Sequence, residues 1–180
     1  MRADLGNLHR LMHRNDEAVQ ELREANDLIA RTATDTNTSR LLALSELAEA
    51  ELDDGNADAA LAAATQALAM ARKVLPAKHY LLGVPLFALA RVDLARGRAD
   101  EAEPLLREAL AVRTPPHPAE DLRVIEVKVA LVRALSALGR KDDQKELRAQ
   151  IESVLRTSTS PYAADLRARL AAARPLAAMR

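Results

Sequence analysis

Three sets of side chains in this sequence could do chemistry by their type and spacing. His9 and His13 lie one helical turn apart, a separation at which two imidazoles can reach one metal ion. No acidic residue lies between them and no third ligand is evident, so neither a metal nor a cofactor is expected. Asp16, Asp58, Asp100 and Asp142 recur every 42 residues and could be read as acid–base groups. Their even spacing argues against that, because equivalent residues of stacked repeats stand about a repeat-width apart and cannot converge on one reacting atom. Arg91 and Arg133 are separated by the same 42 residues and could grip an anion. The chain has no Gly-rich phosphate loop, nucleophile elbow or kinase motif, and an enzyme is not expected.

The same 42-residue interval runs through the residues that build the frame. Leu5, Leu47, Leu89 and Leu131 follow it, as do Gly55, Gly97 and Gly139. So do Ala18, Ala60 and Ala102, and then Ala25, Ala67 and Ala109. Self-similarity at such a period marks an array of stacked units, each unable to bury its apolar face alone.

The segment from Leu41 to Leu75 shows how one unit works. Leu41, Leu44, Leu47, Ala48 and Leu52 fall at helical spacing, so the first half is an amphipathic helix. Gly55-Asn56 ends it, since glycine enters the left-handed region without a Cβ penalty. Asp58 then sits where the next helix begins, beside free backbone N–H groups and the positive end of the helix dipole. Ala60, Ala64, Ala67 and Met70 form a second stripe, and Pro76 stops it. Small alanines there predict close approach of the two helices.

The spacing predicts helix pairs Arg2–His13 with Asp16–Thr32, Thr38–Asp54 with Asp58–Leu75, His79–Arg96 with Asp100–Arg113, and Glu120–Leu138 with Asp142–Arg156. Links at Asp35-Thr36-Asn37, Pro76 and Pro115-Pro116-His117-Pro118 separate them. A last helix is predicted over Tyr162 to Ala173, with Pro161 in its first turn.

Composition narrows the function classes. The 180 residues carry 26 basic and 26 acidic side chains, so net charge points to neither nucleic acid nor an anionic membrane. Charge is nonetheless uneven, at −5 through Glu120 (14 basic, 19 acidic) and +5 beyond it (12 basic, 7 acidic). Tyr80, Phe87 and Tyr162 are the only rings for base stacking, which also disfavours nucleic acid. Cysteine is absent, which suits a cytoplasmic protein and fits a periplasmic one as well. No stretch is long and apolar enough to read as a signal segment or a membrane span.

These residues resemble tetratricopeptide repeats. The shared pattern appears as Leu44, Leu47-Ala48, Gly55, Ala60 and Ala67, again as Leu86, Leu89-Ala90, Gly97, Ala102 and Ala109, and in part as Leu5-Gly6, Ala18 and Ala25. The family's usual period is about 34 residues, and the longer unit here is similar to kinesin light chain repeats and to those of many bacterial signalling proteins. The segment from Gly97 to Arg113 is closest to that subtype's second helix. The resemblance implies an all-α fold, a right-handed α-solenoid of antiparallel helix pairs. About four repeats (1–37, 38–78, 79–119 and 120–157) are expected over 1–157, then a capping helix and tail over 158–180. His9, Glu51, Asp93 and Leu135 stand where the family commonly has Tyr. Gln144 and Ile151 replace expected alanines in the fourth copy, and Arg148 occupies a normally apolar site, which marks that copy as degenerate.

In such a stack the first helices line a concave groove. The resemblance places Asn7, Glu49, Arg91 and Arg133 at one groove position. Ser45 and Phe87 share a second, with Arg10, Leu52 and Leu94 at a third. An apolar floor at Phe87 and Leu94 beneath a basic wall of Arg91 and Arg133 would suit an extended or helical peptide bearing an acidic residue. The expected function is a protein-interaction scaffold binding a peptide or partner domain. The alternative is a regulatory module of a larger bacterial signalling protein, such as a Ser/Thr kinase or transcriptional regulator. A two-carboxylate clamp is not expected, because Glu46, Val84 and Ala88 fall where its polar or basic residues are needed. No cap precedes Leu5, so the chain reads as part of a longer protein, or as one able to self-associate through its first repeat.

Overall fold

The computed structural model describes residues 12, 14–32, 38–114, 118 and 120–173. Apart from Met12, the expected helix over Arg2–His13, with His9 and His13, lies outside these residues, as do the Asp35-Thr36-Asn37 and Pro115-Pro116-His117 links. Among the described residues the chain forms eight α-helices and no strand. They are α1 (Asn15–Thr32), α2 (Thr38–Asp53), α3 (Ala57–Val74), α4 (Gly83–Ala95), α5 (Ala99–Arg113), α6 (Leu122–Ala137), α7 (Lys141–Thr157) and α8 (Pro161–Ala172). Helices α2 and α3, α4 and α5, and α6 and α7 pack as hairpins, and each hairpin packs on the next through α3–α4 and α5–α6. Helices α2, α4, α6 and α8 pack successively side by side, making one layer of an α-solenoid.

Three turns repeat one backbone device. Gly55, Gly97 and Gly139 have φ of 87°, 77° and 71°, in the left-handed region. After each, the next residue's N–H bonds back to the helix: Asn56 to Glu51 O at 2.8 Å, Arg98 to Asp93 O at 2.8 Å and Arg140 to Leu135 O at 2.9 Å. The glycine N–H bonds to Leu52, Leu94 or Ser136 O in turn. This is the Schellman closure, which satisfies carbonyls that the helix end would otherwise leave open. The following helix begins at Ala57, Ala99 or Lys141, one residue before the recurrent aspartate. Asp58, Asp100 and Asp142 therefore sit in the first turn and act on the dipole rather than as side-chain caps.

The small residues do what their spacing predicts. Ala18, Ala60 and Ala102 are fully buried, as are Ala67 and Ala109, and Ala25 nearly so. At the slot where Tyr is usual, Glu51 and Asp93 are each 2% exposed and Leu135 is 1% exposed. Each buried carboxylate is met by an arginine. Arg23 Nε donates to Glu51 Oε1 at 2.9 Å, and Arg98 Nε donates to Asp93 Oδ1 at 3.1 Å. The pairing offsets the desolvation that a buried charge would otherwise suffer.

The third helix pair opens differently from the other described ones. A 3₁₀ turn, Tyr80–Leu82, precedes α4, and His79 Nδ1 accepts a hydrogen bond from the Leu81 N–H at 3.2 Å. Pro85 then lies in the first turn of α4, where no N–H is required.

The fourth repeat's departures also have a physical cause. Gln144 Nε2 and Arg148 Nη2 both donate to the carbonyl of Ala173, at 3.2 and 2.6 Å, closing the C-terminal end of α8. In return Arg167 on α8 donates from Nε to Leu155 O, near the end of α7, at 3.1 Å. Ile151 is fully buried in the cluster that joins α6, α7 and α8. The copy that looks degenerate is adapted to hold the terminal helix.

Candidate partner-binding groove

A concave cavity of about 430 Å³ opens between α4, α6 and α8. Phe87, Arg91 and Leu94 enter it from α4, and Val129, Ala130 and Arg133 from α6. Glu126 of α6 and Arg169 of α8 complete its polar rim, and Ala172 and Ala173 close the far side. The alternation has a simple origin, because residues seven apart on a helix lie on one face. Phe87 and Leu94 are 7% and 8% exposed and form an apolar floor with Val129. The Arg113 guanidinium lies 5.5 Å from the Phe87 ring centroid and fixes its other face. Burial lowers the Arg113 pKa, with Glu126 opposing the shift.

The charged groups are not equivalent. Arg91 Nη1 is ion-paired with Glu49 Oε2 of α2, and its Nη2 stands 3.4 Å from Asp53 Oδ1. Arg169 Nε lies 2.8 Å from Asp165 Oδ2, and its Nη1 is 3.3 Å from Glu126 Oε1. Glu126 also accepts a hydrogen bond from Tyr162, whose phenol pKa is pushed up, first by burial and then by that carboxylate. Arg133 is exposed and has no carboxylate partner among the described residues.

The structure thus brings Phe87, Arg91, Leu94 and Arg133 to one cavity. Glu49 stands behind them as the partner of Arg91 and contributes no free charge. This changes the expected basic wall, since one of its two arginines is neutralised by the preceding repeat. Ser45 is 1% exposed and its hydroxyl donates to Leu41 O at 2.8 Å, so it offers no hydrogen-bonding group to a ligand. Leu52 is half-buried and packs on the core between α1, α2 and α3. Asn7 and Arg10 lie outside the described residues. Sequence reasoning did not find Glu126, Ala130, Arg169, Ala172 and Ala173. The signal was present in the interval itself: Leu82, Val124 and Leu166, 42 apart, are all nearly or fully buried, so α8 takes the place of another first helix.

Among the described residues no cluster of His, Asp or Glu could hold a metal ion, and no helix is long and apolar enough to cross a membrane.

The geometry defines a solenoid of stacked helix hairpins with a groove along its first helices. Residues 39–114 match the tetratricopeptide repeat family. The match and the fold together make the chain similar to tetratricopeptide repeats of the long kind found in kinesin light chains. A crystal structure of kinesin light chain TPR-like repeats from Podosopora anserina is similar at a TM-score of 0.75 and 26% identity, covering 96% of this chain and 83% of that one. A point variant of that protein gives a TM-score of 0.77 and 25% identity, covering 96% and 82%. BtubC (BKLC) from P. vanneervenii shares the fold, with a TM-score of 0.72 at 15% identity over 85% of this chain and 61% of that one. No curated protein sequence matches the chain.

Proposed function

We propose that this protein is an interaction scaffold that binds an extended or helical peptide of a partner in the groove between α4, α6 and α8. Tetratricopeptide repeats support a protein-interaction role in general. The observation that carries the finer reading is the cavity of about 430 Å³, whose apolar floor of Phe87, Leu94 and Val129 is ringed by charged side chains. Apolar lining with a few placed polar groups is the usual composition of a binding site. Two of its three walls, α4 and α6, are packed between neighbouring helices, so little ordering of these would be required on binding.

Selection of displayed peptides tests this. Peptides enriched on the wild-type chain should lose binding to Ala130→Arg, which fills the groove from a half-buried position on α6. They should retain binding to Ala111→Arg, placed at an exposed site on α5 outside the cavity. Equal binding to both variants, each shown to be folded, would remove the groove as the site.

A further inference from the structure

We infer that Arg133 alone is the anion anchor of this groove, and that Glu49 and Asp53 act as specificity residues by masking Arg91. The inference rests on the peptide-groove reading and names which charge a ligand must carry and where. Its basis is a change of residues between two equivalent repeat positions. Arg91 of α4 faces Glu49 and Asp53 of α2 across the junction of neighbouring first helices. Arg133 of α6 stands 42 residues further on and lines the cavity with Arg91. One repeat on, the position of Glu49 is occupied by Arg91 and that of Asp53 by Ala95. The repeat positions that supply carboxylates to Arg91 therefore hold a like charge and a methyl group one repeat on.

The third guanidinium of the cavity is also committed. Arg169 is held between Glu126 and Asp165 on the α8 side. Arg133 is left as the cavity's exposed cation without a carboxylate among the described residues. An arginine presents a planar fork suited to a carboxylate. A carboxylate arriving beside the apolar floor meets that fork partly shielded from water, where charge-assisted bonds are stronger. At Arg91 the same carboxylate would have to displace Glu49, whose side chain is 13% exposed and already paired. The ligand is thus a peptide with a single acidic residue set next to apolar ones, docked at the α6 side of the groove.

The test uses the full chain and a peptide array with Leu, Phe and Ala throughout and Asp, Asn or Lys at one varied position, followed by anisotropy on the best labelled Asp peptide and its Asn twin. Wild type should prefer Asp over Asn by about tenfold, the scale of one charge-assisted bond. Arg133→Ala should abolish that preference, and Arg91→Ala should keep it. Glu49→Gln should raise affinity for the Asp peptide several-fold by releasing Arg91. If Arg91→Ala melts early, the paired variant E49Q/R91Q removes both charges together and takes its place. An Asp preference that survives Arg133→Ala, or that collapses with Arg91 alone, overturns the assignment of the anchor while leaving peptide binding intact. Failure of wild type to bind any array peptide overturns the groove reading and this inference together.

Discussion

Arg148 on α7 and Ala173 at the end of α8 are joined by a hydrogen bond of 2.6 Å, from guanidinium Nη2 to backbone oxygen. The bond places a cation on the negative end of a helix, where a positive charge is stabilising. Arg148→Ala should destabilise the chain by about 1.5–3 kcal/mol, the range for a hydrogen bond to a charged group. Hydrogen exchange should show the α8 amides losing protection before those of α4 and α5. Gln144→Ala, removing the longer 3.2 Å bond to the same oxygen, should have the smaller effect.

Gly97 and Gly83 should fail for different reasons when replaced by Ala. Gly97 has φ of 77° and open space around its missing Cβ, so Gly97→Ala should cost about 1–2 kcal/mol from backbone conformation alone. Gly83 has ordinary helical angles, but a Cβ there would stand 2.6 Å from Arg113 Cγ. Gly83→Ala should therefore displace Arg113 from the Phe87 ring and alter the groove floor. Denaturant unfolding reads the first effect, and altered peptide binding at unchanged helicity reads the second.

Ala60 is fully buried where α3 meets α2 and the preceding repeat. Ala60→Leu should overpack this contact and cost about 1–3 kcal/mol. Ala62→Leu, on the exposed face of the same helix, controls for helix propensity. Equal melting curves for wild type and the Ala60 variant would refute close packing as the reason for this alanine.

Asp54 should make the seam between the first two repeats sensitive to pH. Its pKa is raised above 3.8, first by desolvation and then by the neighbouring Asp16 carboxylate. A folded-state pKa above the unfolded value means that stability is highest with Asp54 protonated and falls as pH rises through the folded pKa. Asp54→Asn should thus melt higher than wild type at neutral pH, with the gain vanishing below the ordinary carboxylate range. One repeat on, Arg96 occupies this position and is ion-paired with Asp58. Asp54→Arg should reproduce that pair with Asp16 and raise the melting temperature more than Asn does, with a gain that shrinks in high salt. Thermal melts across pH and salt decide both points.

Much of the fold was legible because its determinants are local. Gly55, Gly97 and Gly139 end helices through their own backbone angles, and Ala60 or Ala102 allows close approach through its own size. A 42-residue interval superimposes such residues without knowledge of what they touch. The candidate site was legible in part. Phe87 and Leu94 share one face of α4 by spacing, Arg133 holds the position of Arg91 one repeat on in α6, and the solenoid turns both faces toward the cavity. The contribution of α8 was hidden, since its sequence retains the repeat only in buried positions such as Leu166.

The sequence by itself determined that the chain is an array of helix pairs, because helix periodicity, turn glycines and small packing residues are each encoded within a few positions. Only the tertiary structure decided which arginine is available. Glu49 and Arg91 belong to different repeats, and the two have equal standing in a series that also includes Asn7 and Arg133. Whether a charge is neutralised depends on a few ångströms between neighbouring helices, and Coulomb energy changes steeply over that distance in a partly desolvated groove. The recurring residues settle the frame, and the junctions between helices settle its charge.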